Sequence, residues 1–345
     1  MSGAAAGHAL RAVAASVLGA GLLVTITAAG FGEIATVLLL LGTLPLGVAV
    51  RAAWLRARDS RPDDEYPLVL ASPSASLYTA FFLLPLVLII VYSLATRQGY
   101  GEVVYGFSFH NFADALSGLY LQAFVRSVRF AVIGTITTVF IGFPFVYWLA
   151  RYSPIRRRNL LLALVMVPFL TAFLIRAYAW RLVLSDDFLL ANLLHRLGLL
   201  HGPLNLLNSG TAVQIGIVYG YLPLFILPLY AALERMDWRL VDAAKDLGSS
   251  RFSAFRQVTL PVVAPGVIAG SLLVFIPMTG EYVIPAVLGG GRVDFVGTLV
   301  SRAFLEGQNY PFGAALGLLV VIALSGCLAL YLFMTNRAER NLGVV

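Results

Sequence analysis

Few residues in this 345-residue chain could perform covalent chemistry, and their spacing rules most of it out. The only lysine, Lys245, stands between Ala244 and Asp246, whereas a P-loop needs Gly-Lys-Ser/Thr, so the chain carries no Walker-type ATP site. His8, His110, His195 and His201 show neither H-x-x-x-H nor H-E-x-x-H spacing, and none has a cysteine partner, which argues against a metal-dependent enzyme. No G-x-S-x-G nucleophile elbow occurs. The single cysteine, Cys327, sits in an apolar run, has no internal disulfide partner and reads as a small packing residue. Glu281 is different: an ionisable residue inside an apolar run is costly and faces either a cavity or a partner.

The elements that position these residues follow from composition. The chain is 59% hydrophobic and 12% charged, with mean hydropathy +0.87, against about 25% charged residues in soluble domains. This is an all-α, multi-pass integral membrane protein. Eight apolar spans of roughly 17 to 27 residues fit a hydrocarbon core of about 30 Å. They lie at about 12–30, 34–50, 76–94, 127–150, 160–184, 211–233, 262–288 and 312–333. Arginines cluster after alternate spans, at 51, 56, 58 and 61, at 151 and 156–158, at 235, 239, 251 and 256, and at 337 and 340. That asymmetry marks one side as cytoplasmic, with both termini there, so the net charge of +7 orients the protein and implies no nucleic-acid partner. The polar stretch 59–67, with two prolines, is the clearest boundary in the chain. Prolines at 144, 168, 223, 228, 277 and 285 fall within spans, where neighbouring groups can satisfy the carbonyls they free.

The longest charged, helix-forming interruption is 241–261, V-D-A-A-K-D-L-G-S-S-R-F-S-A-F-R-Q-V-T-L-P, between the sixth and seventh spans on the arginine-rich side. Apolar or small residues recur at Leu233, Met236, Leu240, Ala243, Ala244 and Leu247, a helical period with one narrow apolar face. Asp237 suits an N-cap, and Gly248 a C′ position in the left-handed conformation. Ser249 or Ser250 can cap a second short helix carrying Phe252, Phe255 and Val258 toward Pro261. The expectation is helix, glycine bend, helix, outside the membrane, with Ala243 and Ala244 leaving room for a partner's side chains.

Asp242-Ala243-Ala244, Gly248, then Val258, Leu260 and Pro261 resemble the pattern E-A-A-x-x-x-G-(x)9-I-x-L-P of the cytoplasmic coupling loop of ABC importer permeases, with Asp in place of Glu and Val in place of Ile. Over about 67–336 the chain is similar to spermidine/putrescine-type permeases. The segments that carry this are L-I-R-A-Y-A-W at 174–180, V-Y-G-Y-L-P at 218–223, P-L-Y-A-A-L-E at 228–234, and G-E-Y-V-I-P at 280–285 with Gly289, Gly290 and Gly291. The resemblance implies a type I importer core of six helices, paired with a second permease subunit as a heterodimer, two ATPase subunits and an extracytoplasmic solute-binding protein. ATP and Mg²⁺ would sit on the ATPase, leaving this chain without a cofactor or catalytic residue. It further implies ATPase coupling through Asp242, Ala243, Ala244, Leu247, Gly248, Leu260 and Pro261, in a bacterial inner membrane.

On this reading 1–62 is an extra N-terminal hairpin with a linker, 63–122 the first core helix and outer loop, 123–336 the permease core with coupling loop 234–261, and 337–345 a cytoplasmic tail. A small cationic cargo, a polyamine such as spermidine or putrescine, calls for a carboxylate with aromatic faces nearby: Glu281, with Tyr282, Trp180, Tyr178, Tyr219 and Tyr221. The competing reading pairs Glu281 with Arg176. Other small amines or organic solutes, or a self-contained secondary transporter built on repeats with interrupted helices, are the alternatives.

Overall fold

The computed structural model describes residues 81, 83–199 and 201–341. The spans expected at 12–30 and 34–50, the linker after them and the first part of the span at 76–94 lie outside the described residues. By contact density the chain divides into two units, 1–92 and 93–345. Apart from Phe81 and Leu83, the described part of the first unit belongs to one short apolar helix, α1 (Leu84–Leu94). All the other described elements belong to the second unit.

A two-stranded antiparallel hairpin, β1 (Thr96–Arg97) and β2 (Val103–Val104), leads to α2 (His110–Ala115). Asn111 on α2 donates to the carbonyls of Ser93 and Ala95 at 3.1 and 2.7 Å, closing this approach. Then come α3 (Gly118–Tyr152), α4 (Ile155–Leu170), α5 (Phe173–Val183), α6 (Leu189–Arg196) and α7 (Gly210–Glu234). The chain continues through α8 (Arg239–Asp246), α9 (Arg251–Ala254) with a π-turn at Phe255–Thr259, α10 (Leu260–Thr279), α11 (Val283–Leu288), α12 (Val296–Leu305) and α13 (Tyr310–Asn341).

The core is the bundle of α3, α7 and α10. Fully buried Phe225 of α7 lies between two glycines: a Cβ on Gly142 of α3 would meet its ring at 2.7 Å, and one on Gly270 of α10 at 2.9 Å. Gly266 of α10 stands equally tight against Ala232. Lipid tails are as apolar as the side chains, so such helices associate through van der Waals packing, and small residues let their backbones close.

Among the described residues, four helical stretches are long and apolar enough to cross a membrane: Gly118–Tyr152, Gly210–Glu234, Arg251–Thr279 and Tyr310–Ala329. The count of eight is therefore not reproduced within them. The span expected at 127–150 begins earlier, inside what reads as an outer loop. That expected at 160–184 is broken: α4 and α5 meet at 95°. That expected at 262–288 is also broken, ending at Thr279 and resuming as α11 after Gly280-Glu281-Tyr282. Pro168 lies within α4, which continues to Leu170, and α7 runs unbroken through Pro223 and Pro228, so a proline by itself does not account for the first break.

Candidate functional site

Two places gather the residues of interest: the segment between α7 and α10, at the arginine-rich end, and the two helix breaks within the bundle.

In the first, Trp238 rather than Asp237 stands at the N-cap of α8, and Asp237, one residue earlier, accepts from the Arg239 N–H at 3.0 Å. The helix closes in a Schellman motif: Gly248 N–H donates to Lys245 O at 2.8 Å and Ser249 N–H to Ala244 O at 3.0 Å, with Gly248 at φ +90°. Ser250 then caps α9, accepting from Ser253 N–H at 3.1 Å. The helix, glycine bend and helix are thus all present, and Ser250 rather than Ser249 is the second cap. The expected apolar face is not one surface. Met236 is buried with Leu233, before α8 begins, and the anchor within α8 is Val241, 2% exposed. The helix restarts after Asp237, so the period running back to Leu233 does not continue through it. Leu240 and Leu247 instead face outward, Leu247 at 89% exposure, as does Phe252 on α9. Ala243 is exposed and Ala244 half-buried; Leu260 and Pro261, also exposed, start α10.

Asp242 faces the end of α3. Its Oδ1 accepts from Arg151 Nη2 at 2.7 Å and stands 3.5 Å from Lys245 Nζ. The Arg151 hydrogen bond, above all, holds the Asp242 carboxyl below its ordinary pKa. In the sequence these arginines serve only as topology markers, and nothing there signals that contact.

In the second place, each helix break carries one of the two charged candidates, and each charge answers the backbone dipole beside it. At the end of α4, the Pro168 carbonyl accepts from Thr171 Oγ1 at 2.6 Å and from Arg176 Nη1 at 3.1 Å. The Arg176 guanidinium also lies 5.4 Å from the ring centroids of Phe169 and Phe173. At the start of α11, Glu281 Oε1 accepts from Val283 N–H at 2.8 Å and Ile284 N–H at 3.3 Å, and its Oε2 accepts from the Tyr221 hydroxyl. Glu281 is 4% exposed. Arg176 and Glu281 are therefore not joined in an ion pair; each neutralises the open end of a helix.

The aromatic candidates separate. Arg176, Trp180 and Tyr219 line a cleft between α5, α7 and α11 together with Phe173, Gly216 and Ile284, and the Trp180 and Tyr219 rings meet edge to face at 5.1 Å. Phe173 lies 6.1 Å from Tyr221, which links this cleft to Glu281. Tyr282 faces a different groove, with Gly297, Val300 and Val320, and Tyr178 is exposed. Gly216, missed in the sequence, lets α11 approach: a Cβ there would meet Leu288 at 2.6 Å and Ile284 at 2.9 Å.

Residues 70–344 match the family described as binding-protein-dependent transport system inner membrane component. Over 262 residues the chain is 39% identical to the spermidine/putrescine transport system permease protein PotB of Haemophilus influenzae, covering 76% of this chain and 90% of that protein. Against PotB of Escherichia coli K12 the identity is 36% over 251 residues, covering 73% and 91%. The fold is similar to a chain in the crystal structure of a bacterial ABC transporter involved in the import of the acidic polysaccharide alginate. There the TM-score is 0.61 at 16% identity, covering 79% of this chain and 94% of that one.

Proposed function

The chain belongs to the family of binding-protein-dependent transport system inner membrane components, and from that premise we propose that it moves a small cationic cargo, a polyamine of the spermidine/putrescine class, across a bacterial inner membrane. It does so as the permease subunit of an ATP-driven importer and hydrolyses no ATP itself. Its partners are a dimer of ATPase subunits, which hold ATP and Mg²⁺, a second permease subunit in a heterodimer, and an extracytoplasmic binding protein. Both termini and the segment from α8 to α9 face the cytoplasm. The polyamine assignment is supported by the identity to the PotB permeases over most of both chains.

The observation that carries the subunit role is the α8–α9 segment. It presents exposed apolar side chains, Leu240 and Leu247 on and at the end of α8, which a left-handed glycine closes, and Phe252 on α9, at the arginine-rich end of a membrane bundle. Exposed apolar groups at a water-facing end need a partner to cover them. An ATPase cleft closing on α8 through Asp242, Ala243, Ala244 and Leu247 would move the helix, Gly248 would let the bend follow, and Leu260 and Pro261 would pass the shift to α10.

Along the cargo path, the cleft of Arg176, Trp180 and Tyr219, with Tyr221 and Glu281 behind it, offers aromatic faces to an ammonium group, with Tyr178 and Tyr282 to either side. Glu281 meets cargo only when the α10–α11 break opens, since its oxygens are held by Tyr221 and two N–H groups.

The test is uptake of labelled spermidine by liposomes carrying the purified complex. Uptake that requires ATP, the ATPase and the binding protein is the expected result. Full transport by this chain alone would replace the importer reading with a secondary transporter.

A further inference from the structure

The loop from α8 to α9 is gripped by α3 as well as leading into α10. Arg151, in the last turn of α3, donates to Asp242 at 2.7 Å, and its guanidinium lies 4.8 Å from the ring centroid of Trp238, the residue that precedes α8. One turn back on α3, Tyr147 meets the Trp238 ring at 5.8 Å and the Phe255 ring at 5.7 Å, both edge to face. Phe143, a further turn back, meets Phe255 at 5.6 Å. The end of α3 therefore touches the loop on both sides of its glycine bend. Arg158 adds a second brace: it donates to Ala150 O at 2.9 Å and reaches Glu234, the last residue of α7, at 3.8 Å. At the far end of the same 35-residue helix, Ser127 accepts from the Val296 N–H at 2.8 Å, at the start of α12.

We infer that Arg151 is a positioning residue for coupling: it seats α8 on the end of α3, so that a movement of α8 drives α3, and through it the far end of the bundle, in parallel with α10. This rests on the importer reading proposed for the chain. Asp242 is the hinge point of the contact because it is half-exposed while Arg151 is largely covered, at 54% and 19% of their side chains. A partner that pulls on α8 thus pulls on a cation already fixed by the Trp238 ring. A lysine at 151 would keep the charge facing Asp242 and a cation beside the indole, and would lose only the planar stacking of the guanidinium on the Trp238 ring.

The experiment is a double-mutant cycle in the complex reconstituted with its ATPase and binding protein, reading cargo moved per ATP hydrolysed. Arg151→Gln should lower that ratio by about fivefold, the scale of one partly exposed ion pair with a cation–π contact. Added to Asp242→Asn it should cost clearly less than about fivefold, because the shared ion pair is already lost and only the contact with the Trp238 ring remains to be removed. Arg151→Lys, which keeps the charge, should recover more than half of the loss at unchanged membrane abundance. A double variant whose loss is the product of the single losses would overturn the inference, and so would a wild-type ratio for Arg151→Gln. If Arg151→Gln fails to reach the membrane, Arg151→Lys decides: a ratio under half of wild type at normal abundance overturns it. Should the wild-type complex itself show no ATP-driven uptake, the importer reading fails, and the cycle is not its cause.

Discussion

Replacing Gly248 separates backbone conformation from space, because the two make opposite rankings. Gly248 holds φ +90°, yet a Cβ added there would meet nothing within 4 Å. The cost of alanine in this chain is therefore conformational alone, about 1–2 kcal/mol for an L-residue held in the left-handed region. That shifts the balance between bent and unbent loop by about 5- to 30-fold. Asparagine tolerates the left-handed region several times better than alanine but is larger, and valine tolerates it worst. If the bend itself is what matters, coupling falls in the order Gly, Asn, Ala, Val. The assay is ATP hydrolysis stimulated by cargo-loaded binding protein, in nanodiscs, with membrane abundance measured alongside. Abundance should stay at the wild-type level throughout, since no contact of α7 or α10 is touched. Stimulation lower in Gly248→Asn than in Gly248→Ala would refute the reasoning, since that order follows size and not backbone freedom.

Two substitutions at Glu281 probe its two roles. Glu281→Gln keeps one carbonyl oxygen for the Val283 and Ile284 N–H groups and places its NH2 toward the Tyr221 hydroxyl, whose oxygen can accept instead of its proton being donated. It should leave the thermal midpoint in detergent within a few degrees of wild type but reduce polyamine uptake; normal uptake would show that the carboxylate does not contact cargo. Glu281→Ala leaves those buried donors unmatched at a cost of about 1–3 kcal/mol, so it should lower the midpoint measurably even in the absence of cargo. An unchanged midpoint would mean that the α10–α11 break holds itself without Glu281.

The parts of this protein that the sequence makes legible are those governed by local rules. Gly248, Ser250 and Pro261 occupy the places that cap and turn chemistry assign them, because φ preference and side-chain reach act over three or four residues. The span at 211–233 emerges as α7 almost residue for residue. The failures begin where hydropathy is silent about continuity. Residues 160–184 and 262–288 each read as one predominantly apolar run, yet each breaks, at Thr171-Ala172 and at Gly280-Glu281-Tyr282. Pro168 and Pro277 precede the two breaks, but α7 runs unbroken through Pro223 and Pro228, so prolines do not mark where a span breaks; nor does any local pattern predict that Arg176 and Glu281 each satisfy the backbone opened beside them. The role of Arg151 is hidden for a related reason. It sits 91 residues from Asp242, and a topology rule that counts arginines says nothing of which one meets a carboxylate. Gly216 and Gly142 are likewise unreadable in isolation, since their smallness serves side chains on other helices.

The central claim is that α8 and its bend are where an ATPase holds this chain, and proximity tests it without relying on transport. In a Cys327→Ser background, which removes the chain's only native thiol, single cysteines at Leu247, 89% exposed on the docking loop, and at Phe107, 77% exposed in the segment between β2 and α2, are compared by cross-linking in membrane vesicles that contain the ATPase. Leu247→Cys should cross-link to the ATPase, with a yield that changes on addition of ATP, while Phe107→Cys should give no ATPase adduct. An absent adduct at 247, or equal yields at the two positions, would contradict the account.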